Sequence, residues 1–339
     1  MNASLLTIVV PTYNRVAHLA QLLRAIDAQL PGLDGQVAVV VGDNASDDGT
    51  PATIEAFRAR HPGTIVLRHA QNVGPEENFH RCLAQVHSPW LWIIGDDDLP
   101  RPGLLPVLLE LLRTQSPDLI HLRSEWHPDL LEGQHGSYPV TPVPVRVPAP
   151  VFARDVNIWL TFISGMVIHV ARLRHLSPAP DPRRYTGTSL IQLGWTLPLL
   201  RDGASLWIVP QPCVLATSGN SGGYRLVEVF GGHLPRILAD ALPADGRLAR
   251  PILRTLFWYF VPGLLWMTRS NAGRTFAPEA PLETLAPLRG SAVYALVLWP
   301  IARLPRVLAW PLWAATRALG RAQQAAFRWR YSRPRGSGR

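Results

Sequence analysis

The chain contains no lysine. All 33 of its basic residues are arginine, a bias as compatible with genomic base composition as with function. It has only two cysteines, Cys82 and Cys213, and no Cys-x-x-Cys pair. That excludes a disulfide framework and a cysteine-rich zinc site, and it suits a reducing compartment. A strand pattern begins almost at once, at Leu5, with no basic segment and apolar core ahead of it, so no secretory signal is expected. Acidic residues are missing from residues 290–339, which carry nine arginines, whereas residues 1–289 hold 24 arginines and 24 acids. The body is therefore neutral, and the formal charge of +9 belongs to the tail. A cationic tail on a neutral body points to an anionic surface as partner.

With 339 residues and 47% hydrophobic content, the chain can hold one large domain or two modest ones. Its first 120 residues alternate between two periodicities. Strand patterns at Leu5–Val10, Val37–Val41, Thr64–Arg68, Trp90–Ile94 and Leu119–Arg123 are separated by helix patterns at Arg15–Gln29, Thr50–Arg60, Glu76–Val86 and Gly103–Arg113. Such alternation predicts an α/β fold with a mostly parallel sheet covered by helices on both faces. The prolines of residues 133–150 argue against a helix or a central strand and read as an extended surface loop. Residues 151–235 are mixed, with a strand at Leu206–Val209 and a Gly-rich loop at Ser218–Gly223.

The most informative motif is Trp90-Leu91-Trp92-Ile93-Ile94-Gly95-Asp96-Asp97-Asp98, in which a buried strand delivers three adjacent carboxylates. Like charges this close repel, so a cation or a hydrogen-bond network is expected to hold them. Hard oxygen ligands suit Mg²⁺ or Mn²⁺, which bridge to substrate phosphates; the spaced pattern of an EF-hand is missing. The alternative is a solvated acidic turn. Other polar motifs fall at strand ends, where α/β sheets bind ligands: Pro11-Thr12-Tyr13-Asn14-Arg15, Asp43-Asn44-Ala45-Ser46, and Asn72-Val73-Gly74 before the helix that carries Asn78.

Taken together and in this order, these motifs resemble the family 2 glycosyltransferases, which have the Rossmann-like GT-A fold. The resemblance covers residues 5–115 well and continues more loosely to about 235, setting a GT-A region at 1–235 and a helical region at 236–339. The Gly-Asp-Asp-Asp form, with Gly219-Asn220-Ser221-Gly222-Gly223-Tyr224, looks most like the bacterial abequosyltransferase-like branch, which builds surface polysaccharide repeats. The family implies a nucleoside-diphosphate sugar donor, a divalent metal (Mg²⁺ or Mn²⁺), and inversion at the anomeric carbon. It places Asp43, Asn72 and Asn78 near the donor and Asp97 and Asp98 at the metal; Pro11, Tyr13, Arg15, Asp96 and Arg225 complete the candidate donor-binding set. Tyr13 can stack on a base, and Asp43 can accept a hydrogen bond from a base N–H. Asn72 reads equally as a turn or helix cap, and Asp48 as a helix start. The Gly-rich loop with Arg225 suits phosphate oxygens, or is a simple flexible loop.

The sequence departs from the family in two places. Gly95 stands where many members have the first Asp of Asp-x-Asp-Asp. The family's catalytic base position falls on Gln192, and an amide cannot take a proton from the acceptor hydroxyl. Asp181, Asp202, His169 and Glu125 are the alternatives, and the base is left unassigned.

In the tail, Pro300, Pro305 and Pro311 suggest short pieces. The 11 apolar residues of Ala292–Ala302 fall well short of the ~20 that span a bilayer. Arg317, Arg321 and Arg328 share one helical face, with Leu312, Ala315, Leu319 and Ala326 opposite. Interleaved with tryptophan, this pattern favours an interfacial membrane helix over a helical cap packed on the body. The expected protein is thus a metal-dependent glycosyltransferase, peripheral on the cytoplasmic face of the plasma membrane and serving a lipid-linked saccharide acceptor. Its rivals are a nucleotidyltransferase, which would carry an N-terminal Gly-rich phosphate loop, and a non-catalytic saccharide-binding protein. A nucleic-acid partner is disfavoured by the neutral body and the apolar interleaving of the tail.

Overall fold

The computed structural model describes residues 4–33, 35–131, 138–139, 141–218, 223–269, 277 and 279–332. The chain divides into two units. The first takes Met1–Phe152, Trp159–Gly187 and Ile191–Asn220; the second takes Ala153–Ile158, Thr188–Leu190 and Ser221–Arg339.

In the first unit, continuous apolar runs make strands buried on both faces. The strands are β1 (Leu6–Thr12), β2 (Val37–Asp43), β3 (Ile65–Arg68), β4 (Trp90–Ile93), β5 (Leu99–Pro100), β6 (Leu119–His127), β7 (Val145–Val147), β8 (Met166–His169) and β9 (Leu206–Thr217). They form one sheet in the order β3-β2-β1-β4-β8-β6-β9-β5, with β7 also on β9. Helices α1 (Val16–Asp27), α2 (Thr50–Arg60), α3 (Pro75–Leu83) and α4 (Leu104–Gln115) follow their predicted positions. Helical spacing puts Leu19, Leu22, Leu23 and Ile26 of α1 in the core. Each such burial contributes about 1.5–3 kcal/mol.

The sheet is mixed rather than mostly parallel. Pairings β1–β2, β1–β4, β2–β3 and β6–β9 are parallel, whereas β4–β8, β6–β8, β5–β9 and β7–β9 are antiparallel. The antiparallel members β5, β7 and β8 are two to four residues long, too short to show a period in the sequence. The proline-rich zone also departs from expectation. Its end forms the edge strand β7 and then a helix at Ala149–Val156. Pro150 falls in the first turn of that helix, where a missing N–H costs nothing.

The second unit is helical. Its last helix, Arg306–Ser332, runs unbroken for 27 residues with Pro311 inside it; of the tail prolines expected to break it, Pro305 does so, between this helix and the one ending at Arg303, and Pro300 and Pro311 do not. Among the described residues, no helix is long and apolar enough to cross a membrane.

One close approach fixes the site's geometry. Asn78 of α3 is buried and donates from Nδ2 to the Gly42 carbonyl at 2.9 Å, drawing α3 onto the end of β2. A Cβ at position 42 would lie 2.2 Å from Cys82 Sγ and 2.7 Å from Asn78 Oδ1. Gly42→Ala should therefore destabilise the protein by about 1–3 kcal/mol in urea unfolding. Adding Cys82→Ala should recover part of that loss; two additive losses would show that the contact is not the cause.

Candidate active site

The loops after β1 and β2 are tied to each other. Asn14 N–H donates to Ser46 Oγ at 2.9 Å, Asp47 N–H to Asn14 Oδ1 at 3.0 Å, and Ser46 N–H to Asp43 Oδ1 at 2.9 Å. Asn14 and Ala45 both sit in the left-handed region, with φ of 51° and 66°. For Ala45, that conformation is held by the surrounding bonds against its own preference. Asp48 accepts from the N–H groups of Val16 and Thr50 at 3.1 and 2.8 Å, so it starts two helices. Asn72 Oδ1 accepts from Asn44 Nδ2 and Gly74 N–H, both at 2.8 Å; its visible work is closing the turn before α3. Asn78 is committed to Gly42. Pro11 is half-buried on β1, and Tyr13 is 44% exposed, its ring open to a flat ligand. Asp43 is buried, and its Oδ2 has no hydrogen-bond partner; Arg68 Nε stands 3.6 Å away. A buried acceptor left open in this way is suited to an N–H from a bound base.

The acidic triplet is held by three separate segments. Thr12 Oγ1 donates to Asp96 Oδ2 at 2.7 Å. Arg15 reaches Asp97 Oδ2 at 3.3 Å and stands 4.0 Å from Asp96 Oδ1. Ser164 Oγ donates to Asp98 Oδ2 at 2.5 Å, and Thr217 N–H to Asp98 Oδ1 at 3.1 Å. Ser164 is fixed in turn: Trp92 Nε1 donates to its carbonyl at 2.8 Å, and its Oγ accepts from Gly95 N–H at 2.9 Å. Thr12, Ser164 and Thr217 were not picked out from the sequence. Thr12 lies inside a recognised motif and Thr217 borders the Gly-rich loop, but nothing local marks Ser164. Burial, with the nearby charge of Asp97, pushes the Asp96 and Asp98 carboxyls up to about 7 and about 8.

Gly95 has a steric reason. A Cβ there would lie 3.2 Å from both Asp97 Oδ1 and Asp98 Oδ2, so these two oxygens converge over a bare Cα. They form an all-oxygen set that suits a hard divalent cation. No group of three or more His, Cys, Asp or Glu side chains arranged to hold a metal occurs among the described residues, so any further ligands would come from the diphosphate or water.

Gln192 is buried and donates from Nε2 to the Thr161 carbonyl. That carbonyl requires a donor, and a carboxylate in this place would face it oxygen to oxygen. Of the alternative bases, His169 stacks on Trp90 with centroids 4.3 Å apart and pairs with the first residue of β4, at the end of the strand away from the triplet. Asp202 pairs with Arg201 at 2.6 Å and precedes the start of β9, also away from the triplet. Asp181 closes a turn on Arg183 N–H at 2.8 Å. Glu125 pairs with Arg101 and stands two residues before His127, the register partner of Thr217. Arg225 belongs to the second unit, where it pairs with Glu228 at 3.2 Å. Residues 219–222 of the Gly-rich loop lie outside the described residues.

The sequence model of Glycosyl transferase family 2 matches residues 7–137. Over 129 residues the chain is 32% identical to abequosyltransferase RfbV of Salmonella typhimurium, a stretch covering 38% of each protein. The chain thus matches well under half the length of this curated relative. Among solved structures, S. aureus TarS 1–349 in complex with UDP gives a TM-score of 0.59 at 16% identity, covering 94% of this chain and 91% of that one. The mannosyltransferase PcManGT from Pyrobaculum calidifontis, in complex with GDP-Man and Mn²⁺, gives 0.55 at 16% identity, covering 98% and 89%. At such identities these structures show the shared fold.

The buried carboxyls make stability pH-dependent. Asp96 and Asp98 bind protons more tightly folded than unfolded, so their contribution is full below about pH 4 and is lost as pH rises toward 8. With chelator present, unfolding free energy should fall by on the order of 2 kcal/mol per group between about pH 5 and pH 8. Asp98→Asn should flatten this slope; parallel profiles for the two proteins would contradict it.

Proposed function

We propose that the protein is a glycosyltransferase that moves a hexosyl or deoxyhexosyl group, with inversion, from a nucleoside-diphosphate sugar to a saccharide. The observation that carries this reading is the buried triplet at the end of β4, whose Asp97 and Asp98 oxygens converge over Gly95 within a segment of family 2 type. Tyr13 offers a stacking face, and the open Oδ2 of Asp43 receives a base N–H. Arg15, already beside Asp96 and Asp97, supplies fixed positive charge for the diphosphate. Asp97 and Asp98 would hold Mg²⁺ or Mn²⁺, which when bound neutralises charge on the departing nucleoside diphosphate. Ser164 and Thr217 keep Asp98 in place, so the carboxylates need not reorganise as the bond breaks.

Similarity to an abequosyltransferase supports a role in cell-surface polysaccharide synthesis, with a lipid-linked acceptor. We accordingly place the protein on the cytoplasmic face of the plasma membrane as a peripheral protein. The basic, tryptophan-rich tail supports that placement.

Calorimetric titration with UDP-, GDP- and CDP-sugars in Mn²⁺ should give binding for one base, and chelator should weaken it. Asp97→Ala should lower transfer by about a thousandfold with an unchanged far-UV spectrum; full activity in that variant would sink the metal assignment. Binding of a donor with neither hydrolysis nor transfer would favour the non-catalytic reading, which the amide at Gln192 supports.

A further inference from the structure

The helix Arg306–Ser332 packs on its own unit along one narrow stripe. Ala309, Thr316, Gly320 and Phe327 are buried, and a Cβ at Gly320 would lie 2.1 Å from the Tyr259 ring. The apolar face read from the sequence lies outside this contact: Ala315, Leu319 and Ala326 are all exposed. The outward side instead shows Val307 at 80% exposure, Leu308 at 62%, Trp310 at 55%, Leu319 at 55% and Trp329 at 59%. Val307, Trp329, Leu308 and Leu319 fall on one arc of the helix, and large apolar side chains exposed together in this way mark an interaction surface. Trp310, Arg317, Arg321 and Arg328 follow one another at intervals of seven, four and seven residues, which places them in one row that flanks this arc beyond Val307, across the helix from Leu319. No acidic residue occurs anywhere in the helix.

We infer that this side of the helix is the docking surface for an anionic phospholipid bilayer. The helix lies along the bilayer, with its indole and aliphatic side chains at the acyl boundary and its arginine row on the lipid phosphates. Charge selects this occupant. A second copy of the chain would bring two arginine rows together, and a nucleic acid would leave Val307, Leu308 and Trp310 in water. The rotation of the helix is fixed within its unit. The fully buried Asp155 carboxylate accepts from Arg330 Nη2 at 2.7 Å and from Tyr331 Oη at 2.9 Å, and Gln323 Nε2 donates to Thr255 Oγ1 at 2.8 Å. These bonds hold the apolar stripe outward before any lipid is met, so binding carries little ordering cost.

The inference rests on the membrane placement proposed above, and flotation separates the two. Full-length protein should float with vesicles of phosphatidylglycerol and phosphatidylcholine, and much less with phosphatidylcholine alone. Val307→Ser/Trp310→Ser should abolish flotation. Arg317→Gln/Arg321→Gln/Arg328→Gln should lower partitioning by about a hundredfold and remove most of its salt dependence. Melting curves matching the wild type confirm that both variants fold. Wild-type flotation with both variants unaffected would overturn this surface and leave the membrane placement standing. Wild-type protein that floats with neither vesicle would overturn both.

Discussion

Three consecutive carboxylates at the end of a buried strand are the constraint around which the first unit is arranged. Placed side by side in water, Asp96, Asp97 and Asp98 would need little support. Withdrawn from water, they repel one another and lose hydration, and the pKa values of Asp96 and Asp98 rise accordingly. The fold answers with donors drawn from three segments: Thr12 and Arg15 from β1 and its following loop, Ser164 from the turn before β8, and Thr217 from the end of β9. None of these lies close to the triplet in sequence. The strand order that brings β1, β8 and β9 around β4 and β5 is what assembles the site. Arg15 brings a positive charge to Asp96 and Asp97 as well.

This accounts for what could be read from the chain and what could not. The long elements were legible, because β1 and β2 are continuous apolar runs of the first unit and α1 and α4 each repeat the helical period several times. Strand direction was less so. The short strand β8 enters between β4 and β6 against both of them, and four residues carry no signal of direction. At the site, the motifs located the carboxylates and Tyr13, since these stand at strand ends in any doubly wound sheet. Ser164 could not be found in this way. Its role depends on Trp92 and Gly95, about 70 residues earlier in the chain, and an isolated serine beside a glycine looks like any turn.

The two departures from the family pattern have different physical origins. Gly95 is a matter of tight packing: a Cβ there would press on the Asp97 and Asp98 oxygens at 3.2 Å, a contact that relaxes only if a carboxylate moves by a few tenths of an ångström. Gln192 is an electrostatic one, because the Thr161 carbonyl it faces accepts an amide N–H and would repel a carboxylate. Asn72 and Asn78 show a third case. Both stand at donor positions in the motif, yet the bonds they make are to the chain itself, to Asn44 and Gly74 and to Gly42. They hold the backbone where the end of β2 meets the start of α3.

The tail shows what spacing alone leaves out of a helical face. Arginines on one side and leucines on the other mark an amphipathic helix, but they do not say which residues hold it to its own unit. In the structure, packing is done by small residues, Ala309, Thr316 and Gly320, which let the helix approach Tyr259 closely. Close approach needs small side chains more than greasy ones, so the larger apolar residues are released to the outside. A helix that spends alanine and glycine on its own unit, and keeps tryptophan, valine and leucine facing away from it beside unopposed arginines, has its hydrophobic side directed at something other than its own core.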